Sequence, residues 1–146
     1  INTSDNRYNE KLFVCGGHSN DGNKCELLDI YNNKWMQLPN LEYRVSQNGI
    51  RYDDGIKNRI YIGGGSRAYS KQKNASNMSS YFDILNQKWY KLPNTKYEHC
   101  HHPLLYLNDS QPNILNICGN DQHNVGNNEY LDLREFKGKW KELTEN

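Results

Sequence analysis

Short apolar runs, three to five residues long, are separated along this chain by polar stretches rich in Asn, Asp, Gly and Ser. The runs are too short for helices, no 3.6-residue period spans them, and β-branched and aromatic residues fill them. That pattern predicts strands. The same order returns three times. Residues 12–15 lead into Gly16-Gly17, then Leu28-Asp29-Ile30, then Trp35. Residues 60–62 lead into Gly63-Gly64, then Phe82-Asp83-Ile84, then Trp89. Residues 114–118 lead into Gly119-Asn120, then Leu131-Asp132-Leu133, then Trp140. The tryptophans are 54 and 51 residues apart. A period near fifty with several short strands per unit is the mark of propeller blades, each unable to bury its faces without neighbours.

The predicted strands fall into register with these copies. The second strand of each blade covers 12–15, 60–62 and 114–118. The third covers 25–30, 81–84 and 130–133. The fourth covers 34–38, 88–92 and 139–143. Innermost strands are predicted at 47–52 and 103–107, and none for the first copy, where residues 1–9 are mostly polar. Asn32-Asn33 supplies a hairpin turn, and Pro39-Asn40 and Pro93-Asn94 end the fourth strands.

On these residues the chain resembles the kelch family, whose blades carry a Gly-Gly pair after the second strand, an aromatic-Asp pair in the third, and a Trp opening the fourth. Leu28 and Leu131 replace the aromatic, and Asn120 replaces a Gly, as a left-handed backbone tolerates. Copy three has two extra residues between Asp132 and Trp140. The resemblance implies an all-β fold. It would be one propeller segment over 1–146, with blades at about 8–40, 45–94 and 101–146. The first blade lacks its innermost strand. The segment reads as open, part of a larger, six-bladed propeller, and needs further blades from the same or another chain for closure. Gly16, Gly17, Asp29, Trp35, Gly63, Gly64, Asp83, Trp89, Gly119, Asn120, Asp132 and Trp140 would then be structural. Each Trp would pack between neighbouring sheets, with Trp89, flanked by two blades, mattering more than Trp140.

Composition modifies this picture only a little. The 146 residues have a mean hydropathy of −1.04, and Asn is about one residue in seven. The polar residues collect in turns, while eleven Tyr and three Trp supply bulk for sheet packing. A net charge of +1 gives no reason to expect nucleic acid or an anionic membrane as partner. No apolar run approaches a membrane span, and a cytoplasmic location is expected.

Candidate chemistry is sparse. His99-Cys100-His101-His102 is the one run with metal-ligand residue types, but neighbours on a strand alternate faces and no second ligand pair accompanies it, so no metal or other cofactor is expected. Cys15 and Cys118 take equivalent strand sites; a Cys15–Cys25 bridge is possible but not favoured, and all four thiols are read as reduced. The Gly pairs have no helix behind them to hold a phosphate. Four sequons, at Asn2, Asn74, Asn77 and Asn108, are expected by chance in so Asn-rich a chain. Some kelch propellers are copper enzymes of the galactose oxidase type, but no Tyr, His and Cys spacing here maps onto that site, and no enzyme is expected.

The kelch resemblance implies a protein-binding platform, adaptor or substrate receptor. In such propellers the loops between second and third strands, and the loops between blades, emerge on one face. Carried to this chain, the partner-binding positions are His18, Asn20, Ser66, Arg67, Asp121 and His123 from the first loop type. Arg44, Ser46, Glu98 and Cys100 come from the second. Residues 67–77 form the longest such loop and carry Arg67, Lys71 and Lys73 with no acidic residue, which points to an acidic partner. Two other readings stay open: a structural propeller segment with no regulated ligand, and a secreted, sugar-related enzyme.

Overall fold

In a computed structural model, the structure describes residues 11–17, 22–44, 46, 49–52, 58–66, 76–100, 103–107, 114–117, 128–134 and 138–143. Eleven strands fall within them: β1 (Lys11–Cys15), β2 (Cys25–Asp29), β3 (Lys34–Leu38), β4 (Gly49–Tyr52), β5 (Arg59–Gly63), β6 (Ser79–Asp83), β7 (Lys88–Lys91), β8 (Leu104–Leu107), β9 (Ile114–Ile117), β10 (Glu129–Asp132) and β11 (Lys141–Glu142). They form three antiparallel meanders, β1-β2-β3, β4-β5-β6-β7 and β8-β9-β10-β11. The fold is all-β, and no helix is present among the described residues.

The ladders explain the repeated sequence. Leu12, Leu28 and Trp35 oppose one another across the first sheet, as Ile60, Phe82 and Trp89 do across the second. Directly opposed residues share a face, so each blade turns one apolar row toward the blade before it. In the second blade that row packs on the first: Phe82 lies 6.5 Å from Phe13 between ring centroids, and Trp89 lies 6.4 Å from Phe13. The core is therefore two seams. One gathers Cys15, Cys25, Leu38, Leu41, Ile60, Ile62 and Phe82. The other gathers Tyr61, Leu104, Ile117, Leu131 and Trp140. In the first blade the corresponding row meets no sheet among the described residues, and Leu12 and Trp35 are 49% and 50% exposed.

Each seam also carries one repeated hydrogen bond. Trp89 Nε1 donates to the Pro39 carbonyl and Trp140 Nε1 to the Pro93 carbonyl, both at 2.8 Å. The motif Trp thus bonds the proline that ended the preceding blade. The expected ranking of these residues is reversed by the burial: Trp140 is 7% exposed, whereas Trp89 is only partly buried. Both tryptophans face backward, so a blade on each side of the sheet does not enclose Trp89 further.

The motif Asp residues close the turns between third and fourth strands. Asp29 accepts from the Asn32 N–H and Asn32 Nδ2, both at 3.0 Å. Asp83 accepts from Leu85 N–H, Asn86 N–H and Asn86 Nδ2. Hydrogen bonds from Asn32 and Asn86 hold both carboxyls below the ordinary value. Asn33 and Gln87 then take φ of 48° and 53° to complete each turn.

Two expectations need correction. The Gly pair of the second blade is Gly64-Gly65, not Gly63-Gly64. These two hold φ of 61° and 101°, matching Gly16 and Gly17 at 84° and 141°. Gly63 takes the ladder position in the second blade that Cys15 takes in the first, opposite Ser79 as Cys15 is opposite Cys25, and ends β5; a Cβ there would come into ordinary contact with Ile117 Cδ1 of the third blade at 3.4 Å. The cysteines are the second correction. Cys15 and Cys25 are disulfide-bonded, because the ladder sets them directly opposite with Cα atoms 4.1 Å apart and side chains on one face. Cys100 is buried, and Cys118 lies outside the described residues.

Candidate functional site: the loop seam beside β5

At the Gly64-Gly65 end of β5 the two loop types meet. Ser46, in the connection from the first to the second blade, exchanges backbone hydrogen bonds with Ser66, N–H to carbonyl, at 3.0 and 2.6 Å. The Ser46 hydroxyl adds a bond to the Ser66 carbonyl at 3.4 Å. From the other side, His99, in the connection from the second to the third blade, accepts from the Gly65 N–H at 2.7 Å and donates its N–H to the Ser76 carbonyl at 3.0 Å. Ser76 N–H returns to the Gly65 carbonyl at 2.6 Å. Both feet of the longest loop, Ser66 and Ser76, are thus latched to the two blade-to-blade connections that flank it. The backbone carries this latch, so side chains beyond the feet vary without loss of the frame.

The second connection is anchored by a buried carboxylate. Glu129, the first residue of β10, is 0% exposed and accepts three hydrogen bonds. They come from Lys96 N–H at 2.8 Å, Tyr97 N–H at 3.0 Å and His99 Nε2 at 2.8 Å. His99 is 1% exposed. Burial pushes the Glu129 carboxyl up, but its bonds from His99 and from the Lys96 and Tyr97 amides together outweigh burial and leave it below the ordinary value. Glu142 on β11 adds an outer clasp. It takes Lys96 Nζ at 2.9 Å and the Tyr97 hydroxyl at 3.2 Å; the bonds of Lys96 with Tyr97 and with Glu142 hold its ammonium well above the usual lysine range. Thr95 completes the turn by donating its hydroxyl to the Tyr97 carbonyl at 2.6 Å.

Of the ten partner-binding positions expected from the sequence, five are described. Ser46 and Ser66 are brought into direct contact. Ser46 and Cys100 are buried, Ser66 is half-buried, and Arg44 and Glu98 are exposed. His18, Asn20, Arg67, Asp121 and His123 lie outside the described residues, as do Gly119 and Asn120 of the motif set and the Lys71 and Lys73 of the long loop. His99 is drawn out of the His run into the anchor, while His101 and His102 are not described. Among the described residues no group of three His, Cys, Asp or Glu side chains is gathered to hold a metal ion. No helix among them is long and apolar enough to cross a membrane.

Sequence reasoning missed Glu129, Ser76 and Glu142. Glu129 reads as the polar edge of a strand, since Glu26 occupies the same ladder row in the first blade and is exposed there. The signal that could have found it is the pairing of a Glu at that row with a His at the blade-to-blade connection. Only the third copy has both.

Known proteins carry the same pattern. The kelch motif matches residues 6–42. Alpha-scruin of Limulus polyphemus is 30% identical over 90 residues, covering 58% of this chain and 10% of that protein. Beta-scruin of the same animal is 31% identical over 91 residues, again 58% of this chain and 10% of that protein. The chain therefore spans about a tenth of the length of these relatives. The chain thus carries a kelch motif at residues 6–42 and is similar over part of its length to two kelch-patterned proteins, and its antiparallel sheets, with Trp89 and Trp140 bonded back to the preceding proline, agree with that motif.

Proposed function

We propose that this chain is a protein-interaction module of the adaptor or substrate-receptor type. It offers the loop seam beside β5 to a partner protein or peptide. The observation that supports this is the double latch of Ser66 to Ser46 and of Ser76 and Gly65 to His99, which sets a long cationic loop on a rigid base between two connections. Pre-set loop feet lower the ordering cost of binding. Arg44, Glu98 and Ser66 are the described side chains free to touch a partner. Ser46 and Cys100, being buried, hold the connections in place. Arg67, Lys71 and Lys73 supply positive charge, so the partner surface is acidic and capture weakens with salt. This is a binding role, not catalysis, and needs no cofactor, nucleic acid or membrane.

The partner-facing surface is completed by further blades that cover the Leu12, Leu28 and Trp35 row of the first sheet. We place the chain in the cytoplasm, where the thiol pool would open the Cys15–Cys25 bridge and the ladder alone would keep the strands paired. Counting free thiols in protein taken from its natural compartment tests that placement. The function itself is tested with Arg44→Ala and Arg67→Ala combined in the intact protein. Capture of an acidic partner should fall and its salt dependence flatten, with the melting temperature unchanged. Undiminished, salt-independent capture would reject the proposal.

A further inference from the structure

A second surface lies along β5, β6 and β7, away from the loop seam. Arg59 opens β5, so it lies about 13 Å by the rise of a strand from the Gly63 end, beyond which the latch begins. Here the second and third blades do not close fully on one another. A cleft of about 260 Å³ remains, walled by Arg59, Tyr81 and Tyr90 on one side and Leu131 and Leu133 on the other. That is below the usual range for a drug-sized ligand and suits a side chain or two of an extended peptide.

The chemistry of the cleft is specific. Tyr61, Tyr81 and Tyr90 oppose one another across the sheet, and Tyr81 and Tyr90 stack at 5.1 Å between centroids with planes 16° apart. The Arg59 guanidinium sits over the Tyr81 ring at 4.3 Å. Its Nε is buried and has no hydrogen-bond acceptor, while the guanidinium has a side-chain hydrogen bond with the Tyr61 phenol. A buried guanidinium donor without an acceptor is costly. The nearby carboxylates do not serve it. Asp83 faces Arg59 across the ladder and attracts it, but its oxygens are taken by the Leu85 and Asn86 turn. Asp132 is taken by Arg134, whose Nε donates to it at 2.8 Å. Lys91 adds a second cation at the rim.

The cleft between the first and second blades provides a contrast within the same molecule. It is about 460 Å³ and is lined by Phe13, Leu27, Ile60 and Ile84, with Lys11 at the position of Arg59. Lys11 is exposed and can be solvated. The Arg-on-Tyr arrangement is thus particular to the second cleft and is not required for blades to pack.

We propose that the cleft between the second and third blades binds an acidic residue of an extended partner peptide. Arg59 accepts the carboxylate and the Tyr81–Tyr90 pair receives the neighbouring apolar side chain. A carboxylate presents two oxygens to the guanidinium fork, supplies the missing acceptor for Nε and offsets the Arg59 and Lys91 charges. The site is separate from the loop seam, and its test separates the two.

The probe is a capped tripeptide with glutamate between two leucines, compared with the same peptide carrying glutamine. Both are titrated into the full chain by calorimetry. The glutamate peptide should bind at least ten-fold tighter. Arg59→Gln should bring it down to the level of the glutamine peptide, while Arg44→Ala leaves the difference intact. Arg59→Lys, which keeps the charge and loses the fork, should retain only part of the preference and covers the case in which Arg59→Gln does not fold. Equal binding of the two peptides, absence of binding, or a preference untouched by either Arg59 change overturns the proposal. A preference lost with Arg44→Ala instead would assign the acidic peptide to the loop seam.

Discussion

Replacing Glu129 by Ala should destabilise the chain by about 3–5 kcal/mol at pH 7, the range for removing one partner of a buried ion pair or its equivalent. The magnitude follows from what is left behind. Three donors at 2.8, 3.0 and 2.8 Å lose their acceptor, in a place where Glu129 and His99 are sealed from water. A hydrogen bond to a charged group contributes about 1.5–3 kcal/mol. Three of them on one carboxylate act as a unit, so their sum is an upper bound and not the expectation. Glu129→Gln keeps the shape and one carbonyl oxygen but points an amide donor at a donor. Its cost should be about half that of Ala.

The pH dependence has a definite sign. The folded-state value of Glu129 lies below the ordinary value of 4.5. Its contribution is therefore fully present above 4.5 and is lost as pH falls through the lower, folded value. Urea melts of the parent chain and of both variants, at pH 7 and again at pH 3, measure this. The difference between parent and Glu129→Gln should shrink at the lower pH, because other carboxylates titrate alike in both and cancel. Hydrogen exchange at the Lys96 and Tyr97 amides should accelerate in both variants. A cost under about 1 kcal/mol for Ala, or a difference that is the same at pH 7 and pH 3, would refute the account of Glu129 as the anchor.

Trp140→Ala should cost about 3–5 kcal/mol, as for other buried large aromatics, while Trp35→Ala, at a half-exposed site, should stay within about 0.5 kcal/mol; a calorimetric comparison of the two variants decides it. Reducing the Cys15–Cys25 bridge, whose ends are 10 residues apart, should lower stability by about 2–3 kcal/mol on the loop-entropy account, read as a melt with and without dithiothreitol; no change would mean that the ladder alone restrains the unfolded chain equally. The open row of Leu12 and Trp35 should make this chain self-associate with rising concentration, and Trp35→Lys should return it to a monomer in sedimentation equilibrium.

Strand positions were legible because period-2 patterning and turn residues are local. β3 begins and ends where the pattern placed it, and β8 and β9 are each within a residue. What escaped the sequence is whatever depends on which blade lies opposite. Three consecutive glycines, Gly63, Gly64 and Gly65, hid a one-residue shift that only the ladder resolves. The Cys15–Cys25 pair is set by cross-strand register, which the thiol count did not contain. Glu129 is the sharpest case. A carboxylate in a strand reads as solvent-facing, and Glu26 on the same row is exposed; Glu129 is buried because a connection from the preceding blade folds over it. Of the candidate site, the meeting of the two loop types was legible through the kelch resemblance. The latch residues Ser76 and Gly65, and the role of His99, were not.

The two seams are held by different means, and this bears on how a partner would be bound. Both share the Trp-to-Pro bond. Among the described residues, only the second adds a buried carboxylate, a histidine and the Lys96–Glu142 pair. The first relies on apolar packing and on the Ser46–Ser66 bridge. Polar networks with all members satisfied resist sliding, because any shift leaves a buried group unpaired. Apolar contacts allow small shifts at lower cost. The Ser76 foot of the long loop therefore sits on the stiffer connection and the Ser66 foot on the more yielding one. A partner gripping that loop would draw its adjustment from the first seam and its fixed reference from the second, so binding should protect the Ser46 and Ser66 amides more than it protects those already held by Glu129.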